Sequence, residues 1–238
     1  APASKDSEIQ PAPVFECRFT AEPITIDGKL DEAAWQRAAV IDAFRLPWEP
    51  SAPPPRTATR ARLLWDRDNL YVAADMDDAD LYADITEHDG NTWDNDVFEV
   101  FIKPAVDKPA YYEFQVNAGN TVFDLFLPRR GHVGRFKHRD EFHVESAVTL
   151  RGTLEAWADK DEGWSVEMRI PWADFQPTGG RPEAGAEWRF ALCRYDFDVA
   201  YEAPELSTAA PLSRRDFHRH EDYAILRFVA PAVTPASR

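Results

Sequence analysis

Trp93-Asp94-Asn95-Asp96-Val97-Phe98-Glu99-Val100-Phe101-Ile102-Lys103 is the stretch whose reading decides the fold. Side chains alternate between faces along a strand, so Phe98, Val100 and Ile102 share one face and Val97, Glu99 and Phe101 the other. Both faces are largely apolar, which marks a strand covered on both sides. Glu99 then carries a carboxylate into an enclosed surface, where it needs partners or a ligand to offset its desolvation.

Outward from this stretch, short apolar or alternating runs bounded by turn residues recur over 14–20, 57–65, 69–76, 96–103, 111–118, 122–127, 142–150, 153–158, 163–170, 187–196 and 222–229. Helical signals are confined to 31–37, where Asp31 is placed to cap, and 171–175, which opens on a proline. The fold class expected is all-β: a two-sheet antiparallel β-sandwich of about eleven strands with short helical turns. Residues 1–13 and 230–238 are rich in proline and small residues and read as flexible tails. No linker divides the body, 14–229, which is expected to be one domain.

The chain has 238 residues, a net charge of −15 and eight tryptophans. Such acidity repels a phosphate backbone and an anionic membrane surface, so no nucleic-acid partner is expected. No apolar run approaches the length of a spanning helix, so no membrane insertion is expected either. The start, Ala1-Pro2-Ala3-Ser4 without an initiator methionine, fits an exported chain after signal removal. Cys17 and Cys193 leave two readings open, one long-range disulfide or two separate buried thiols. Oligomeric state is left open.

On 111–118, Tyr112, Phe114, Val116 and Ala118 share one face and Tyr111, Glu113, Gln115 and Asn117 the other. A hairpin that closes Lys103 onto Tyr111 sets Gln115 opposite Glu99. A two-residue turn over Gly119-Asn120 would then set Asp124 opposite Gln115. Glu99, Gln115 and Asp124 would form one polar row across three strands, with Asn117 on the same face. Acidic and amide groups near a flat ring suit a sugar, whose hydroxyls need paired donors and acceptors and whose C–H face needs an apolar plane. Trp93 is placed to supply that plane. On the residues alone, Trp93 is equally a packed indole and Glu99 an arginine's partner.

Ile24-Thr25-Ile26-Asp27-Gly28-Lys29-Leu30-Asp31-Glu32-Ala33-Ala34-Trp35, Asp68-Asn69-Leu70-Tyr71-Val72, Trp93 to Phe101, Tyr112 to Asn117 and Trp164 to Trp172 follow one another in a recognisable order. In this the chain resembles the family 9 carbohydrate-binding modules of the DOMON-like superfamily. The resemblance implies a sandwich that holds a sugar at a chain end between two tryptophans, without catalysis. Trp93 matches the first of these rings and Glu99 the hydroxyl-binding acid six residues on. The loop where the second ring is expected, Leu206-Ser207-Thr208-Ala209-Ala210-Pro211-Leu212, holds no tryptophan. Arg194, on the strand before it, is expected either to approach the pocket or to pair with Glu99.

The resemblance requires no cofactor, but it admits a structural calcium, for which Asp75, Asp77, Asp78, Asp80, Asp84, Asp89, Asp94 and Asp96 offer oxygen ligands. Rival readings are a DOMON-like haem domain using Met76, Met168 or a histidine, a protein-interaction module with a degenerate sugar site, and a glycosidase built on Glu99 and Asp124.

Overall fold

A computed structural model of the chain describes residues 11–49, 51–131, 133–138 and 142–231. Most of the two expected tails lies outside the described residues. The fold is all-β, with eleven strands: β1 Val14–Phe19, β2 Thr59–Trp65, β3 Asn69–Asp77, β4 Val97–Lys103, β5 Tyr111–Asn117, β6 Val122–Leu127, β7 Glu145–Arg151, β8 Gly163–Pro171, β9 Glu187–Asp196, β10 Glu205–Thr208 and β11 Ala224–Val229. Two short helices accompany them, α1 Ala33–Arg37 and α2 Val133–Phe136.

All eleven strands join one hydrogen-bonded ladder in the order β6-β5-β4-β9-β11-β1-β2-β3-β8-β7, with β10 beside β9. Pairing is antiparallel except at β1, which runs parallel to both β11 and β2 and bridges the two halves of the ladder. Only Arg18 and Phe19 pair with β2, so this join is short.

One large core unites the inner faces of both halves, including Phe98, Val100 and Ile102 of β4, Phe114 of β5 and Val166 and Met168 of β8. A second apolar cluster lies on the opposite face of β4, β5, β6 and β9, where Phe101, Tyr111, Phe123 and Cys193 are covered by Leu212, Phe217 and Tyr223. Every residue of β4 is buried for this reason. A third cluster packs Trp35 and Ile24 on Leu64, Tyr71 and Ala73.

The motif 24–35 owes its shape to one buried carboxylate. Glu167 on β8 accepts hydrogen bonds from Trp35 Nε1 at 2.7 Å, Gly28 N at 2.8 Å and Asp27 N at 3.0 Å. Gly28 has φ 82, and a Cβ there would stand 2.7 Å from the Val148 carbonyl carbon, so only glycine allows this approach.

Four expectations are corrected. Residues 153–158 form turns, not a strand: Glu155 has φ 59, and the Asp161 carboxylate holds Thr153 N at 2.8 Å. A strand instead forms at β10, which pairs with the C-terminal half of β9 where β11 has ended. Asp31 does not cap α1; the N-cap is Glu32, whose carboxylate reaches back to Thr25 N at 3.0 Å. The β5–β6 turn contains three residues, Ala118-Gly119-Asn120, with Asn120 at φ 62, a conformation asparagine tolerates. Gln115 therefore faces Phe123 and Phe114 faces Asp124, one residue off the expected register. Of the two readings for the cysteines, the structure has two separate buried thiols.

Candidate functional site

The β4–β5 register is as expected, with Glu99 opposite Gln115. Phe101 stands opposite Glu113. Glu99, Glu113 and Gln115 together floor a cavity of about 360 Å³ on the face of the ladder away from the main core. Trp93, from the turn Thr92–Asp94, forms one wall. Tyr195, Leu206 and Phe217 line it further, and the segment Arg215–His218 completes the rim.

Trp93 is half-buried and held edge-on against Phe123, with centroids 5.4 Å apart. The one-residue slip of β6 delivers Phe123 to this position. The ammonium of Lys137 lies 5.4 Å from the Trp93 ring centroid. Tyr195 meets Phe217 edge-to-face at 5.4 Å.

The floor is a directed chain of hydrogen bonds. Thr92 Oγ1 donates to Gln115 Oε1 at 2.5 Å, and Gln115 Nε2 donates to Glu113 Oε1 at 2.6 Å. Glu113 Oε2 has no hydrogen bond; His218 Nε2 stands 4.0 Å away, and His218 Nδ1 meets the Tyr111 hydroxyl at 2.9 Å. Glu99 has neither hydrogen-bond nor ion-pair partner among the described residues. Burial, and then repulsion from Glu113, pushes the Glu99 carboxyl well above its ordinary range. Burial also raises Glu113, against the opposing pull of His218 and the Gln115 hydrogen bond.

The remaining expected site residues lie elsewhere. Asp124 shares the β6 face of Val122 and Phe126, and its carboxylate sits 3.6 Å from His88 Nε2 beside Asp89. The polar row therefore ends at Gln115, and the Glu99–Asp124 pair required by a glycosidase does not exist. Asn117 is fully buried and structural, its amide donating to Ile85 O at 2.8 Å and Asn95 Oδ1 at 2.9 Å. Arg194 is opposite Phe98 and points to the inner face, where it pairs with Asp78 at 3.0 Å and Asp196 at 3.4 Å rather than with Glu99.

The acidic stretch is dispersed rather than gathered. Asp75 and Asp77 pair with Arg60, Asp80 accepts from Val199 N, and Asp84 accepts from Asn95. Asp78, Asp96 and Asp196 do converge, but the Arg194 guanidinium already supplies the cation at that point. The His88, Asp89 and Asp124 group offers an imidazole and two carboxylates. Met76 and Met168 are fully buried in the main core, so they serve packing.

Glu113, Tyr195 and His218 were not singled out in the sequence. Glu113 shares its strand face with Gln115, so alternation alone identifies it. Tyr195 lies on β9 opposite Val97, on the strand face of Cys193, whereas His218 reaches the cavity only through the covering loop after β10.

The fold is that of solved carbohydrate-binding modules. It matches a carbohydrate-binding module family 9 from Caldicellulosiruptor kristjanssonii in complex with cellotriose at a TM-score of 0.64 and 16% identity, covering 94% of this chain and 100% of that one. It also matches a putative carbohydrate-binding protein from Bacteroides uniformis at a TM-score of 0.69 and 15% identity, covering 92% and 100%. The family described as carbohydrate family 9 binding domain-like matches residues 26–203, and the chain belongs to it. Membership makes the chain a non-catalytic carbohydrate-binding module.

Similar curated proteins are endo-1,4-beta-xylanase A of Thermotoga neapolitana, 32% identical over 158 residues, and exoglucanase XynX of Acetivibrio thermocellus, 27% identical over 155 residues. These alignments take in 64% and 65% of this chain but 12% of each relative's length.

Proposed function

We propose that the module holds the end of a saccharide chain in the Trp93–Glu99 cavity, with a sugar ring stacked on Trp93 and its hydroxyls directed to the Glu99 and Glu113 carboxyls. The observation that carries this reading is Glu99: a deeply buried carboxyl, open to a cavity, with no partner among the described residues. A buried polar group left unpaired costs about 1–3 kcal/mol, and a hydroxylated ligand removes that cost. Gln115 acts by orienting Glu113, since both ends of its amide are engaged. Tyr195 takes the part of the second ring that the loop 206–212 lacks.

The same reading treats 14–229 as one domain whose ladder folds into two layers, β6-β5-β4-β9 against β2-β3-β8-β7, joined through β1. The single core shared by both halves supports this. Among the described residues no helix is long and apolar enough to cross a membrane. The xylanase relatives support an exported module that delivers a partner enzyme to polysaccharide. No metal is required in this scheme.

Calorimetric titration with glucose and cellotriose tests it, with Asp124→Asn as a control outside the cavity. Saturable binding that survives Asp124→Asn and is lost in Glu99→Ala is the expected result. Binding retained in Glu99→Ala would reject the site.

A further inference from the structure

We infer that this cavity selects a saccharide carrying a protonated amine, with Glu113 as the residue that sets the preference. The inference rests on the proposed site and adds the charge of its ligand.

Glu99 and Glu113 are 2% and 3% exposed. They stand on adjacent strands one pair out of register, a diagonal separation of about 7–8 Å between Cα atoms that long side chains span. Among the described residues Glu99 has no hydrogen-bond or ion-pair partner, and Glu113 Oε2 has no hydrogen bond. Two buried carboxyls thus open on one cavity with no buried cation between them among the described residues.

The charged groups nearby do not supply one. Arg215 is exposed on the rim, its guanidinium 5.5 Å from the Trp48 ring centroid. Lys103 lies on the same β4 face, but its ammonium is directed at the carbonyl oxygens of Lys108 and Ala110. Lys137 is over Trp93, and Arg194 is on the opposite face with Asp78. Asp216, also on the rim, adds a further negative charge. Among the described residues, the basic side chain facing Glu113 is His218, whose Nε2 stands 4.0 Å away.

A neutral hexose offers hydroxyl donors to this floor but brings no positive charge to offset ionisation of the two buried carboxyls. An ammonium offers three N–H donors and a full positive charge, the complement of acceptor-only carboxylates. Charge-assisted bonds of this kind are about twice as strong as neutral ones. An N-acetylated amine has one N–H and no charge, so it forfeits this gain.

The test is calorimetric titration of the whole chain near pH 6.5 and low ionic strength with glucosamine, glucose and N-acetylglucosamine. Glucosamine is expected to bind about tenfold more tightly than either of the others, following the stronger charge-assisted bonding. The advantage should shrink as salt is added. In Glu113→Gln, confirmed as folded by its thermal melt, the glucosamine-to-glucose ratio should fall toward one.

Glucose binding as tightly as glucosamine to the wild-type protein would overturn the inference while leaving the saccharide site standing. An undiminished ratio in Glu113→Gln would overturn the role of Glu113. No binding of any of the three sugars would overturn both the inference and the reading beneath it. The wild-type comparison decides the matter even if the variant fails to fold.

Discussion

Replacing Glu167 with glutamine isolates the contact that fastens the N-terminal motif to the ladder. The native carboxylate accepts from Trp35 Nε1, Gly28 N and Asp27 N, at 2.7, 2.8 and 3.0 Å. Glutamine keeps one acceptor oxygen and turns an N–H₂ toward at least one of those donors. One or two buried donors lose their acceptor, at about 1–3 kcal/mol each, for a net loss of about 2–4 kcal/mol. At about 2–4 °C per kcal/mol for a domain of this size, the melting temperature should fall by roughly 4–16 °C. Burial pushes Glu167 up to about 7 despite these hydrogen bonds. Because this folded value lies above the unfolded one, the native protein gains stability as pH falls through it while the glutamine variant does not, so the deficit should be larger near pH 5 than near pH 8. Differential scanning calorimetry at both pH values reads this, and hydrogen exchange should show faster loss of protection at Asp27 and Gly28. Sugar binding should be unchanged, because β8 lies outside the cavity. A melting temperature within a degree of wild type at pH 5 would refute the reasoning.

Two further outcomes follow from buried charge. Glu99 and Glu113 both have folded-state pKa values above their unfolded ones, so the folded state binds more protons between those values and stability falls as pH rises through them. Glu99→Gln should raise the melting temperature near pH 8 and flatten its decline from pH 5; an unchanged or steeper decline in urea or thermal unfolding would contradict this. Arg194→Met should cost about 3–5 kcal/mol, because it strips the buried cation from Asp78 and Asp196. Burial has already pushed Asp78 up to about 7, so the variant should recover part of the loss in acid. A urea-unfolding difference under 1 kcal/mol, or none between the two pH values, would count against that account.

How far the sequence carried depended on how local each feature was. The β4–β5 hairpin was legible because alternation and the position of Lys103 against Tyr111 allow one register in which both apolar faces stay buried. The β5–β6 register was not, because Gly119-Asn120 resembles a two-residue turn while Asn120 takes the left-handed position of a three-residue one. That single slip sends Asp124 away from the cavity and brings Phe123 beneath Trp93. Arg194 was misplaced because its direction depends on the register of β9, which no neighbouring residue reveals. Phe217 and His218 reach the site only through the packing of a loop over β4 and β9, a long-range arrangement without a local signature, and Tyr195 faces it through the pairing of β9 with β4. The motif 24–35 shows the converse: its residues are plain to see, yet their role is to pack against Glu167, far from the site.

The central claim is that saccharide binds over β4 and β5, beside Trp93 and Glu99. Amide chemical-shift mapping during titration with cellotriose tests it most directly, because the fold offers a contrasting surface. Trp157 is 72% exposed and lies with Tyr82 and Phe197 in a separate aromatic hollow. The account predicts that the largest shifts fall at Trp93, Glu99, Glu113, Tyr195 and His218, and that Trp93→Ala abolishes them. Shifts centred on Tyr82, Trp157 and Phe197, with the Trp93 region silent, would contradict it.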